Sequence, residues 1–192
     1  MIATLRTADT DDITTAAALL YRAILASPTG RLLGSATTGR GATFADLLTT
    51  SVYFGRVDLA VSGERIDGVA CWIDHPHSPV PPVTRTRRTG VDDLLNRLHT
   101  IDLVVAVPAR HPHQHLACLG ARPGHHARAV TDLLLHRQRL LNNRQGRTLY
   151  TEVHDQPLRS WLLRSGYQDH GVSLGTDAEP ESFLLSSAGT PP

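Results

Sequence analysis

Eleven histidines, two cysteines and nineteen arginines are the side chains of this 192-residue sequence best suited to chemistry, and lysine is absent. His111, His113 and His115 alternate, so on a strand they would share one face; His125 and His126 follow closely. Three imidazoles on one face could converge on zinc, but no Cys or carboxylate pattern joins them to complete a tetrahedral set. The expectation is therefore no metal, and a basic surface that partly titrates near neutral pH. Cys118 could act as a nucleophile, but inside an apolar run it reads better as a small core residue, as does Cys71. Free thiols in a reducing compartment are expected, and the spacing alone leaves a disulfide open. The absence of lysine rules out a lysine Schiff base.

Charge is uneven. The net charge is +1, yet Arg110 to Arg147 holds seven arginines and six histidines against one acid, Asp132. A local basic field of this kind favours an anionic ligand; the plainer reading is a solvated helix face. Acids gather at Asp9, Asp11 and Asp12 and again at Asp177, Glu179 and Glu181. No apolar stretch reaches the ~18 residues of a membrane span. Met1 to Arg6 reads as a strand, not as the basic and then apolar start of a signal peptide, so a cytoplasmic protein is expected.

The elements that must position these residues follow from periodicity. Ile2 to Arg6 alternates as a half-buried strand does, and Asp9 to Asp12 supplies caps for a helix through Ile13, Ala17, Leu20 and Ile24, stopped by Pro28 and Gly30. Ala42 to Thr50 reads as a second helix. Val57 to Val61 and Ile66 to Ile73 read as strands of a hairpin turning at Ser62-Gly63-Glu64-Arg65. His75 to Gly90, with four prolines, reads as a long surface loop, and Val91 to His99 as a helix. Gln114 to Ala121 is a strand, Pro123-Gly124 a turn, Arg128 to Asn143 a helix with Val130, Leu133, Leu134 and Leu141 inward. Thr148 to Val153 is a strand, and Pro157 to Arg164 a helix ended by Gly166. Val172 to Leu174 and Ser182 to Leu185 are weak closing strands. This order argues one α/β (α+β) domain with a mixed sheet over residues 1–187, followed by a frayed tail, 188–192.

Several segments together resemble the GNAT superfamily of N-acetyltransferases. His115-Leu116-Ala117-Cys118-Leu119-Gly120-Ala121-Arg122-Pro123 is similar to the family's central strand and its exit. His126-Ala127-Arg128-Ala129-Val130-Thr131, before Leu133, Leu134 and Leu135, occupies the place of the Gln-x-x-Gly-x-Gly loop and the helix it opens. Gly68-Val69-Ala70-Cys71-Trp72 resembles a family hairpin strand, Leu149 to Glu152 its fifth strand, and Arg164-Ser165-Gly166-Tyr167 its Arg-x-Gly-Phe signature. The resemblance covers about residues 2 to 174 and rests on order and spacing more than on any one motif. It implies a central, largely antiparallel mixed sheet flanked by helices, in which Gln114 to Ala121 and Thr148 to Val153 are neighbours that splay apart around the donor.

The activity implied is amide formation, by transfer of an acyl group from acyl-CoA (acetyl-CoA) to the amine of a small molecule. The implied donor-binding residues are Leu119, Gly120, Ala121, His126, Ala127, Arg128, Ala129, Val130 and Thr131, with the Leu119 N–H polarising the carbonyl. A helix N-terminus holds phosphate well, but Ala127, Ala129 and Thr131 stand where the family has glycine and crowd the approach. Arg128 could compensate, with help from Arg122. The family's proton-donating Tyr is replaced by Leu162. For the base, His115 comes first and His113 second, although either could be a solvated strand end; Glu152 and His154 follow. Asp155 reads as a helix cap. Two further readings stand beside this one. In one the donor is an acyl carrier protein thioester or an aminoacyl-tRNA, as in natural-product biosynthesis, with Arg85, Arg87 and Arg88 as a docking edge. In the other the domain binds without catalysing. A homodimer is compatible with all three.

Overall fold

The computed structural model describes residues 3–25, 40–75, 113–124, 126–153, 156–173 and 183–187. Strand β1 (Thr4–Thr7) leads through a 3-10 turn (Thr10–Asp12) into helix α1 (Ile13–Leu25). The acidic cluster caps as expected. The Asp9 carboxylate accepts from the Asp11 N–H and the Asp12 carboxylate from the Asp9 N–H, each at 3.0 Å. Such a reciprocal pair satisfies donors that a helix start leaves open. Arg6 grips the same Asp12 carboxylate through two hydrogen bonds of 2.5 and 2.6 Å.

Helix α2 (Arg40–Phe54) outruns the expected Ala42 to Thr50. Within it Thr49 and Ser51 donate their hydroxyls to the carbonyls of Ala45 and Leu47, both at 2.8 Å, the back-bonding by which such residues sit inside a helix. Strands β2 (Gly55–Ser62) and β3 (Arg65–His75) then form the expected antiparallel hairpin, with Gly63 at φ +64° in its turn. Strand β3 extends to His75, which the sequence reading placed in a loop.

Strand β4 (His113–Ala121), helix α3 (Ala127–Gln145), strand β5 (Thr148–Val153) and helix α4 (Gln156–Arg164) follow the expected pattern within one or two residues. The closing strands are longer than expected: β6 is Gln168–Ser173 and β7 is Phe183–Ser187. Their polar residues carry no apolar alternation, so pattern alone could not bound them. The seven strands form one sheet in the order β1-β2-β3-β4-β5-β7-β6, with every pairing of known direction antiparallel. The expected loop after His75, the helix Val91 to His99, the stop at Pro28 and Gly30, and the tail 188–192 lie outside the described residues. Among the described residues no helix is long and apolar enough to cross a membrane.

By compactness the chain divides into two units, Met1–Ile73 with Leu116–Leu141 and Asp74–His115 with Asn142–Pro192. In the first, the β2–β3 hairpin is covered on both faces. Cys71 donates to the Ser51 hydroxyl of α2 at 2.9 Å, while Gly68, on the other face, lies under Val130 and Leu134 of α3. Val130, Leu134 and Leu135 are buried. Asp58 shares that second face and is fully buried, with the Arg56 guanidinium at 2.8 Å and that of Arg137 at 3.5 Å. In the second unit, α4 packs on β5 with Trp161 and Leu162 buried, and Arg159 forms an ion pair with Asp169 of β6.

Candidate active site

Strand β4 carries the first two base candidates, and neither is a solvated strand end. His113 is 6% and His115 2% exposed. The two lie two residues apart and so leave the strand on one side. The His113 ring stands edge-on to Tyr150 of β5, with ring centroids 5.3 Å apart and planes at 84°. Tyr150 was not singled out from the sequence. The signal was present in β5, where buried Leu149, Thr151 and Val153 alternate with it and send its ring to the opposite face. Burial pushes the Tyr150 phenol up from its ordinary value, so it stays protonated at neutral pH. Tyr150 in turn lies 5.9 Å from the ring of His170, whose Nε2 is 2.7 Å from the Ser186 hydroxyl. Neither His170 nor Ser186 was legible as a site residue, because each enters through a weakly patterned strand. Glu152 lies on β5 opposite Leu184 in the register. His154, with Asp155, His111 and His125, lies outside the described residues.

The expected donor residues fall on the end of β4 and the start of α3. Leu119 is half-buried. Gly120 is buried, and a Cβ there would meet Leu20 Cδ2 at 2.9 Å and Ala23 Cβ at 3.1 Å, so α1 approaches closely and leaves little room for a side chain. After Ala121 the chain leaves the strand through Arg122. The Arg122 N–H donates to the Asp67 carbonyl at 2.8 Å, and its guanidinium reaches the Ile66 carbonyl and the Asp67 carboxylate. Arg122 therefore ties β4 to β3. Burial pushes the Asp67 carboxyl up, but the Ser62 hydrogen bond with Arg65 and Arg122 outweighs it, and the net shift is downward.

Gly124, at φ +144°, turns the chain toward α3. Its carbonyl takes the Ala127 N–H at 3.1 Å, and the Val130 N–H goes to the His126 carbonyl at 3.1 Å. The first-turn N–H groups of Arg128 and Ala129 have no carbonyl one turn earlier in the helix. His126, Arg128 and Ala129 are exposed, and no carboxylate among the described residues pairs with Arg128. The hydroxyl of Thr131 is turned back along the helix, donating at 2.8 Å to the Arg128 carbonyl, with the Ala127 carbonyl at 3.3 Å. This geometry can present backbone donors, a partial positive charge and a guanidinium to an anion.

Leu162, at the place of the family acid, is a core residue, 1% exposed. Both thiols are buried and free. Burial pushes Cys71 up to about 12 and Cys118 far above its ordinary range, so neither supplies a thiolate nucleophile at neutral pH. Among the described residues no three His, Cys, Asp or Glu side chains gather as a metal site.

No protein-family model matches this chain, and no curated protein matches it. Solved structures do. A mosquito arylalkylamine N-acetyltransferase, like 5b, superposes with a TM-score of 0.73 at 16% identity, over 97% of this chain and 99% of the other. A structure described as histone acetyltransferase HPA2 and related acetyltransferase, from Corynebacterium glutamicum, gives 0.68 at 18%, over 100% and 99%. The C-terminal condensation domain of Ebony, in complex with beta-alanyl-dopamine, gives 0.74 at 9%, over 98% and 100%. Likeness at these identities establishes the fold.

Proposed function

We propose that this chain, whose fold is that of the GNAT acetyltransferases, is an N-acyltransferase that moves an acyl group from a thioester to the amine of a small molecule. The observation that carries the reading is the likeness itself. It runs the whole length of the chain and of its neighbours, and two of those neighbours bear the names of acetyltransferases.

The chemistry assigns roles as follows. The neutral amine nitrogen attacks the thioester carbonyl, a C–N bond forms, the C–S bond breaks, and the ammonium proton passes to a base. His115 is the first choice for that base and His113 the second, since an imidazole nitrogen can take up the proton; Glu152 and His154 come after them. The Leu119 N–H polarises the carbonyl, an oxyanion-type contact. With Leu162 in place of an acid, the thiolate leaves without a residue at that position to protonate it. Orientation of the reactants then supplies most of the acceleration, a contribution that can reach ~7–11 kcal/mol. His126, Ala127, Arg128, Ala129, Val130 and Thr131, with Gly120 and Ala121, form the seat for the donor's phosphates. Acyl-CoA is the first donor to test.

A second donor has support of its own. Ala127, Ala129 and Thr131 leave less room for a pyrophosphate than glycines would, and one neighbour is a condensation domain holding an aminoacyl amide. A carrier-protein phosphopantetheine thioester makes smaller demands on that turn. The discriminating experiment incubates the purified chain and a panel of primary amines with acetyl-CoA, or with an acetylated phosphopantetheinyl carrier protein, and follows thiol release and the amide by mass spectrometry. Thiol release from either donor supports acyl transfer and identifies the donor class. Release from neither, with the fold intact by circular dichroism, overturns the enzymatic reading and leaves a binding protein.

A further inference from the structure

We propose that His113, Tyr150 and His170 form a ring-lined wall that seats an aromatic group on the acceptor, which makes the acceptor an arylalkylamine. The inference rests on the acyltransferase reading and narrows its substrate class.

Its basis is the face of the second unit turned away from α4. Leu149, Thr151 and Val153 of β5 are buried, and the register partners Ser187 and Leu185 of the first two, also buried, share that side. Asp169 of β6, paired with Leu185, belongs there too, because Arg159 of α4 reaches it. Tyr150 is opposite Ser186 in the register, and Gln168 of β6 is opposite the same serine. Tyr150, Ser186 and His170 therefore occupy the other side, and His113 of β4 meets Tyr150 there.

The rings make a continuous row, edge-on at 5.3 Å and then tilted by 33° at 5.9 Å. Burial is graded along it: His113 is buried, Tyr150 half-buried and His170 exposed. A core cluster would bury all three rings and a solvated face would bury none, so the gradient describes a wall with one open end. Ser186, itself buried, holds the outer ring through the 2.7 Å contact with His170 Nε2. A ring entering beside Tyr150 can meet one π face and two ring edges, the offset and edge-to-face arrangements that aromatic groups prefer. An arylalkylamine carries its one reacting nitrogen at the end of a short chain, so the other group left to be seated is its ring.

The test measures acetyl transfer to phenethylamine and tryptamine against putrescine and spermidine, together with calorimetric binding of phenethylamine in the absence of donor. Wild type, Tyr150→Phe, Tyr150→Leu and His170→Ala are compared, each checked by thermal melting. His170 is exposed, so its substitution remains informative should Tyr150→Leu fail to fold. The expected kcat/KM for phenethylamine exceeds that for putrescine at least tenfold. Tyr150→Leu should shrink that ratio at least fivefold and weaken phenethylamine binding, His170→Ala should do so about twofold, and Tyr150→Phe should keep both. Preference for the alkyl amines, or a ratio that none of these substitutions moves, overturns the proposal. Phenethylamine binding that Tyr150→Leu weakens, without turnover from any donor, upholds the wall and sinks the enzyme; turnover of alkyl amines with no phenethylamine binding does the reverse.

Discussion

Arg128 and Arg122 lie six residues apart in a basic stretch, yet they do different work. Arg122 is committed to Ile66 and Asp67, and Arg128 stands exposed at the start of α3. If the donor is CoA, Arg128→Ala should weaken its binding by about 1.5–3 kcal/mol, the worth of a charge-assisted contact. Arg122→Ala should instead show mainly as a lower melting temperature. Calorimetry and melting on the two variants separate the roles. At the other end of the first unit, the hydrogen bonds from Arg6 hold the Asp12 carboxyl down at about 2, from 3.8. A carboxyl depressed in the folded state contributes stability that is present above 3.8 and is lost as pH falls toward 2. Arg6 is partly exposed, so the gain is at most about 1 kcal/mol and is screened by salt. Asp12→Asn should therefore flatten the acid limb of a melting-temperature profile over that window. An unchanged limb would mean that the pair contributes nothing.

Between elements, the fit of α3 on the β2–β3 hairpin depends on the missing side chain at Gly68. An added Cβ would meet Val130 Cγ1 at 2.3 Å and Leu134 Cδ1 at 3.1 Å, and a β-branched valine on a helix has little freedom to yield. Gly68→Ala should cost about 1–3 kcal/mol, and adding Val130→Ala should return part of it by clearing the clash. Urea denaturation of the two variants measures both effects. The same face carries the buried Asp58 with Arg56 and Arg137. A fully buried charge pair loses about 3–5 kcal/mol when one partner is removed. Here both guanidiniums keep some access to water, with side chains 27% exposed. Asp58→Ala should therefore fall below that range, at ~1–3 kcal/mol, by the same measurement. A loss near zero would show that water replaces the carboxylate fully.

For the whole molecule the open question is the size and charge of the donor. Binding that neutralises many phosphates falls steeply with salt, and binding that engages a few falls gently. The transfer rate at subsaturating donor, followed against salt, should decline modestly for CoA, steeply for an aminoacyl-tRNA, and in between for a carrier protein. The glycine restoration Ala127→Gly, Ala129→Gly, Thr131→Gly adds a second axis. Glycine in a helix costs up to about 1 kcal/mol each, so the triple variant should melt lower and yet bind CoA more tightly. Tighter binding with lower stability would show that the side chains crowd the phosphate seat. Unchanged binding would show that the Thr131 hydroxyl, turned onto its own helix, already leaves the seat clear.

What the sequence alone determined is whatever depends on neighbours along the chain. Strands β2 and β3 with the turn at Gly63, the acidic cap at Asp9 to Asp12, and the inward Val130 and Leu134 of α3 were legible because alternation, capping and helical spacing are local physics. The order of these elements was enough to point to the fold. Tertiary structure decided the rest. His113 and His115 look from sequence like the open end of a strand, and only the folded chain buries them, since burial depends on residues far along it such as Tyr150. His170 and Ser186 sit in strands whose polar residues carry no periodic signal, so the ring row they complete arises only from the insertion of β7 between β5 and β6. Arg122 and Arg128 are chemically identical in the sequence. Asp67, on another strand, occupies one, and the other is exposed with no carboxylate partner among the described residues.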